Sequence, residues 1–127
     1  SANIFEGKVI SSKGGKLTVS TDVGEVFVNN GQSIPKGEKI WLGLRPEKIY
    51  LSKIKPKAVG PNQINGIVEE IGYLGETSIY KIRLENGQII DVSAPNQSRQ
   101  MSRVREITWE DMVYLNWEPE SAMLLTS

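Results

Sequence analysis

Few side chains in this sequence are equipped for chemistry, and their spacing narrows the choice further. With no histidine and no cysteine among 127 residues, imidazole acid–base catalysis, thiolate nucleophiles, disulfides and ordinary zinc sites are excluded together. The carboxylates that cluster do so as adjacent pairs, Glu69-Glu70 and Glu110-Asp111, without the spaced ligand loop that a hard cation requires. Gly15-Lys16 invites comparison with a phosphate loop, yet no glycine stands five residues before Gly15, and Leu17 follows where Ser or Thr would be needed. What remains is a proline turn that occurs twice, Arg45-Pro46-Glu47 and Glu118-Pro119-Glu120, and three arginines in seven residues, Arg99, Arg103 and Arg105. An arginine before a turn proline donates to local carbonyls or to a neighbouring domain. Glu47 and Glu120 have no companion base and read as turn acceptors rather than catalytic groups. The three arginines read as a solvated loop face, with a nucleic-acid or anion site as the alternative. The chemistry on offer is recognition rather than catalysis.

The elements that position these residues repeat. Lys39 to Ser52, KIWLGLRPEKIYLS, returns as Met112 to Leu125, MVYLNWEPESAMLL, when Pro46 is set on Pro119; Trp41 then meets Tyr114, Leu42 meets Leu115 and Glu47 meets Glu120. In each copy apolar residues alternate up to a charged residue and proline. Proline has no N–H to donate and ends the ladder, after which a second apolar run begins, so each copy reads as strand, Pro-Glu turn, strand. The repeat extends to the first strand: Ile64 to Val68 resembles Phe5 to Val9, with Gly66 lying 59 residues after Gly7.

Between these anchors the signals are those of hairpins. Gly14-Gly15 supplies the positive φ angles of a tight turn before Leu17, Val19 and Thr21 alternate. Asp22-Val23-Gly24 turns the chain into Val26 and Val28, and Tyr73-Leu74-Gly75 and Asn86-Gly87 mark further turns around Tyr80–Leu84 and Ile90–Ala94. The stretch Lys53 to Gln63 carries two prolines and a glycine and reads as a connector. Residues 1–52 are therefore expected to form a first β repeat, 53–63 a connector and 64–127 a second repeat. The second repeat carries an irregular insertion around 95–111, with a helical turn expected from Thr108.

About ten short strands and little helix predict an all-β fold of small OB-like or MOP-like barrels, built from two pseudo-repeats of about five strands that pack together or exchange strands. Ile40, Leu42 and Leu44 are expected to point into a barrel and Trp41 outward. Trp41 and Tyr114 are then expected at the seam between repeats or at a subunit contact, and Trp109 and Trp117 in the core.

Fifteen basic and 15 acidic residues cancel, so the electrostatic footprint of a nucleic-acid binder is absent. No apolar run approaches the roughly 20 residues of a membrane span. Strand-like sequence begins by Ile4, directly behind Ser1, and the chain reads as a piece of a longer cytosolic protein.

Taken in order, Asn3-Ile4-Phe5-Glu6-Gly7, Leu44-Arg45-Pro46-Glu47-Lys48, Gly66-Ile67-Val68 and Tyr73-Leu74-Gly75-Glu76-Thr77 with Tyr80 resemble the TOBE-type C-terminal regulatory domain of ABC-importer ATP-binding subunits. The likeness is greatest to the polyamine (putrescine or spermidine) importers. The resemblance implies an OB-like barrel with no catalytic, cofactor or metal site of its own, since no Walker A loop, ABC signature or switch histidine is present. It implies that ATP and Mg bind in an upstream ATPase domain in cis, that a second copy of the subunit and the transmembrane permease subunits are partners, and that the whole lies peripherally on the cytoplasmic face of the membrane. Trp41, Arg45, Glu47, Tyr114, Arg99, Arg103 and Arg105, read from the residues themselves, are the candidates for partner interfaces. The alternatives are a tandem barrel that binds an oxyanion such as molybdate and an OB-fold nucleic-acid binder.

Overall fold

The computed structural model describes residues 2–57, 60–96 and 107–125. Among them are ten strands and one 3-10 turn: β1 (Asn3–Lys13), β2 (Lys16–Thr21), β3 (Gly24–Asn29), β4 (Lys39–Leu44), the turn Pro46–Lys48, β5 (Tyr50–Ser52), β6 (Asn62–Leu74), β7 (Thr77–Leu84), β8 (Ile89–Pro95), β9 (Met112–Trp117) and β10 (Met123–Leu125). The fold is all-β, in two antiparallel five-stranded sheets ordered β10-β4-β1-β2-β3 and β5-β9-β6-β7-β8.

Period-two patterning explains which faces are buried. Along β4, Ile40, Leu42 and Leu44 are buried, and along β9 so are Val113, Leu115 and Trp117. On β7 the alternation runs without a break, with Ser78, Tyr80, Ile82 and Leu84 inward. These residues join Val9, Val19, Val28, Val68 and Val92 in one continuous core. Phe5 stacks on Trp117 across the two halves, ring centroids 6.3 Å apart and planes inclined by 7°.

The halves are built alike down to single hydrogen bonds. β1 is kinked by a bulge between Val9 and Ser11 where it meets β2, and β6 by one between Val68 and Glu70 where it meets β7. The turn before β4 is pinned on the first bulge by Gly37 N–H to Val9 O (2.7 Å) and Val9 N–H to Glu38 O (2.9 Å); before β9, Glu110 N–H to Val68 O (2.9 Å) and Val68 N–H to Asp111 O (3.0 Å) repeat the arrangement. Gly7 and Gly66 occupy matching places, and neither has room for a side chain. A Cβ on Gly66 would lie 2.5 Å from Ile82 Cγ2 and 2.8 Å from the Arg83 carbonyl oxygen; on Gly7 it would lie 2.6 Å from Val19 Cγ1 and 2.7 Å from the Ser20 carbonyl oxygen.

The last strand of each half is exchanged. β5 pairs with β9 of the second sheet, Leu51 opposite Leu115, and β10 pairs with β4 of the first, Leu124 opposite Leu42. Proline stops the ladder, so the chain leaves its own sheet at the Pro-Glu turn and is free to join the other. The first sheet curls toward a barrel: Asn29 at the end of β3 donates its N–H to the Pro119 carbonyl, 2.9 Å away, in the turn that leads into β10.

Three expectations are corrected. Asn62, read as part of the connector, opens β6 and is fully buried. Thr108 to Asp111 form a tight turn rather than a helical one: the Asp111 N–H donates to the Thr108 carbonyl at 3.2 Å, and its carboxylate accepts the Thr108 N–H at 2.8 Å. Glu110 there takes a φ of +64°, which breaks the helical path. Trp109, expected in the core, sits on that turn with 68% of its surface exposed, because a two-residue tip has no sheet face to bury it against.

Candidate partner-binding surfaces

The Pro-Glu turn and the strand before it set the positions of Trp41, Arg45 and Glu47. Trp41 lies in the middle of β4, opposite Glu6 of β1 and Leu125 of the exchanged β10. It is half-buried. Lys39 places its ammonium 5.4 Å from the indole centroid while pairing with Glu6 at 2.8 Å, so the ring's outer face is covered by a cation rather than left to water. With Ile4, Phe5, Val23 and Gln88, Trp41 lines a hollow of about 280 Å³.

Tyr114 holds the corresponding place in β9, opposite Asn65 of β6 and Ser52 of the exchanged β5. Each aromatic thus stands beside the strand contributed by the other half. The two sit in different sheets, and among the described residues no ring contact joins them.

Arg45 and Glu47 are both exposed on the turn. The Lys48 N–H donates to the Arg45 carbonyl at 3.0 Å. Among the described residues no ion pair links the two side chains. Glu120, the counterpart of Glu47, instead accepts a hydrogen bond from the Asn29 side chain at 3.1 Å and ties its turn to the opposite half. Arg99, Arg103 and Arg105 lie outside the described residues. Among the described residues no group of three His, Cys, Asp or Glu side chains is placed to hold a metal, and no helix is long and apolar enough to cross a membrane.

Sequence reasoning missed a second surface and a pair of clamps. Tyr73 and Leu74, at the tip of the β6-β7 hairpin, are 68% and 64% exposed and border, with Trp109, a hollow of about 670 Å³. The Trp109 indole N–H donates to the Glu69 carbonyl at 2.7 Å, which holds the ring in place. The clamps are Asn3 and Asn62, 59 residues apart. Asn62 accepts from the Phe27 N–H at 2.8 Å and donates to the Phe27 carbonyl at 2.9 Å; Asn3 does the same to Asp91, at 2.8 and 2.9 Å. Each therefore satisfies one backbone unit on the edge strand of the other half, where no ladder partner is available. The available signal was an asparagine four residues before each matched glycine.

Residues 42–125 match the family described as TOBE domain. The chain belongs to that family. The resemblance drawn from the Arg-Pro-Glu turn and the Tyr-Leu-Gly hairpin is borne out, and the fold is a β-domain of TOBE type. This TOBE domain is 35% identical over 128 residues to the putrescine transport ATP-binding protein PotG of Escherichia coli, a match covering 99% of the chain and 33% of that protein. It is 27% identical over 125 residues to the spermidine/putrescine import ATP-binding protein PotA of Thermotoga maritima, covering 97% of the chain and 34% of the relative. The chain thus spans about a third of the length of these curated relatives. Among solved structures, the cytoplasmic molybdate-binding protein ModG in a molybdate-bound form superimposes with a TM-score of 0.80, covering 96% of this chain and 94% of that one at 12% identity. That likeness is one of fold.

Proposed function

We propose that this TOBE domain is the regulatory and pairing part of the ATP-binding subunit of an ABC importer, and that the cargo of the parent transporter is a polyamine of the putrescine or spermidine type. The observation that supports the reading is the similarity to PotG along 99% of the chain. ATP and Mg would be held by an ATPase domain upstream in cis, and through that domain the assembly would meet the permease subunits at the cytoplasmic face of the membrane. Trp41, Arg45, Glu47, Tyr114 and the arginines 99, 103 and 105 are the partner residues of this proposal, with Arg45 and Glu47 toward the ATPase domain. A second copy of the subunit is the further partner.

The domain would act by population shift. A contact made only in one arrangement of the two ATPase domains favours that arrangement by the free energy of the contact, and hydrolysis follows the population. Arg45 and Glu47 suit such a contact because both are exposed and neither is in an ion pair among the described residues. In the parent subunit, the double variant R45A/E47A is expected to change transport-coupled ATP hydrolysis roughly fivefold, the low end of allosteric couplings, with no change in the melting temperature of the domain. A subunit deleted for the whole domain that hydrolyses ATP and imports polyamine like the intact one would overturn the proposal.

A further inference from the structure

The β1-β2 hairpin gathers cationic side chains that have no counter-charge among the described residues. Lys13 and Lys16 stand directly opposite each other in the last register pair of the hairpin, an arrangement in which like charges repel. Lys36 belongs to the turn that is pinned on the β1 bulge. All three are exposed, and none is in an ion pair among the described residues.

Together they mark out a groove. A hollow of about 400 Å³ is lined by Ser11, Ser12, Lys13, Ser33 and Lys36, and an adjoining one of about 380 Å³ by Ser11, Lys13, Lys16, Phe27, Pro61 and Pro119. Ser11 and Lys13 belong to both, so the lysines run in the order Lys36, Lys13, Lys16, and the far end closes on Phe27 and the two prolines. Among the described residues no carboxylate lines either hollow. Glu120, next in sequence to Pro119, is engaged by the Asn29 side chain at 3.1 Å.

The fold does not demand these lysines. Counted from the matching bulges, Lys13 corresponds to Gly72 and Lys16 to Ile79; on the pinned turn, Lys36 corresponds to Trp109. The second half builds the same hairpin and turn with no charge at any of these positions, and opposing two lysines at a hairpin end works against stability.

We infer that this groove is an interaction surface for an acidic, extended polypeptide segment of a partner protein. Carboxylates of the segment would lie against Lys36, Lys13 and Lys16, the Ser11 and Ser33 hydroxyls would donate to them, and an apolar residue would cover Phe27 and the prolines. A polypeptide fits the order of the lysines better than a small anion, which would fill one hollow and leave a lysine of the other uncompensated. The surface lies apart from the Arg45-Glu47 turn: Arg45 follows Leu44, which pairs with Asn3 at the start of β1, whereas Lys13 ends that strand.

Titration of the 127-residue chain with a capped peptide of alternating glutamate and serine ending in phenylalanine tests this, read by amide chemical shifts. Saturable shifts confined to residues 11–18 and 33–37 are expected, fading as salt is added and absent when lysine replaces each glutamate of the peptide. Lys13→Ala, Lys16→Ala and Lys36→Ala are each expected to weaken binding by up to about fivefold, whereas Lys48→Ala, on the distant turn, binds like the unmodified chain. Lys16→Ala is also expected to melt no lower than the unmodified chain, because it relieves the repulsion from Lys13. An unmodified chain that gives no saturable shifts, or lysine variants that fold and bind undiminished, would overturn the inference. Inorganic phosphate and phosphatidylglycerol vesicles complete the test: phosphate that displaces the peptide one for one would make the groove a small-anion site, and vesicles that sediment the unmodified chain but not the lysine variants would make it a lipid contact. Either result removes the polypeptide partner and leaves the proposed role in the transporter standing.

Discussion

The first and second halves share a backbone plan and differ in what they place on it. Both have the bulged first strand, the crowded glycine, the pinned turn and the Pro-Glu exit that exchanges the final strand. These shared features are backbone solutions: a ladder must stop, a bulge must be tied, an edge must be capped. The side chains then diverge. Where the first half has Leu44, the second has Trp117; where the first has Gly37, the second has Glu110; where the first has Lys36, the second has Trp109. The lesson is that shared positions report what the fold requires, and divergent ones report what each half is used for.

The largest test of this comparison lies in the core. Trp117 stacks on Phe5 and is 3% exposed, and its buried indole N–H has no acceptor among the described residues. Trp117→Ala is expected to cost about 3–5 kcal/mol and Leu44→Ala, at the matching place, about 2–5 kcal/mol. Chemical denaturation checks both; equal costs would mean that the second half gains nothing from its larger side chain.

The asparagine clamps come next. Asn62 is 1% exposed whereas Asn3 is half-buried, and an unsatisfied backbone group costs more where water is excluded. Asn62→Ala is therefore expected to lose about 2–3 kcal/mol and Asn3→Ala about 1–2 kcal/mol. Hydrogen exchange at Phe27 and Asp91 offers a second reading, each amide losing protection only in the variant that removes its own clamp.

The smallest effect has the opposite sign. Gly37 at φ +94° and Glu110 at φ +64° occupy the same turn position. Glu110→Gly is expected to stabilise by about 1 kcal/mol, since a left-handed backbone penalises any side chain, while Gly37→Ala is expected to destabilise by about 1 kcal/mol. Thermal melts that move the same way for both would break the equivalence of the two turns.

Much of this was legible in the sequence because it rests on local rules. Alternation placed Ile40, Leu42 and Leu44 inside, and the Gly14-Gly15 and Asn86-Gly87 hairpins appear where their residues demand them. The family resemblance came from short motifs in a fixed order. The candidate surfaces were less legible. Trp41 and Tyr114 were recognisable as an equivalent pair, but not that Lys39 would cover the first ring. Trp109 was misplaced because tryptophan is usually buried, and only the turn geometry shows that this one has nothing to pack under.

The sequence by itself determined the all-β class, the internal repeat, the turn that ends each fourth strand and the absence of histidine and cysteine chemistry, because each follows from a residue's own backbone and side-chain preferences. Tertiary structure decided which sheet each fifth strand joins, which asparagine caps which edge, and that Tyr73, Leu74 and Trp109 border one hollow. Those outcomes depend on partners far apart in the chain, and no local preference specifies which distant backbone will be left with an open N–H or which side chain will be left without a cover.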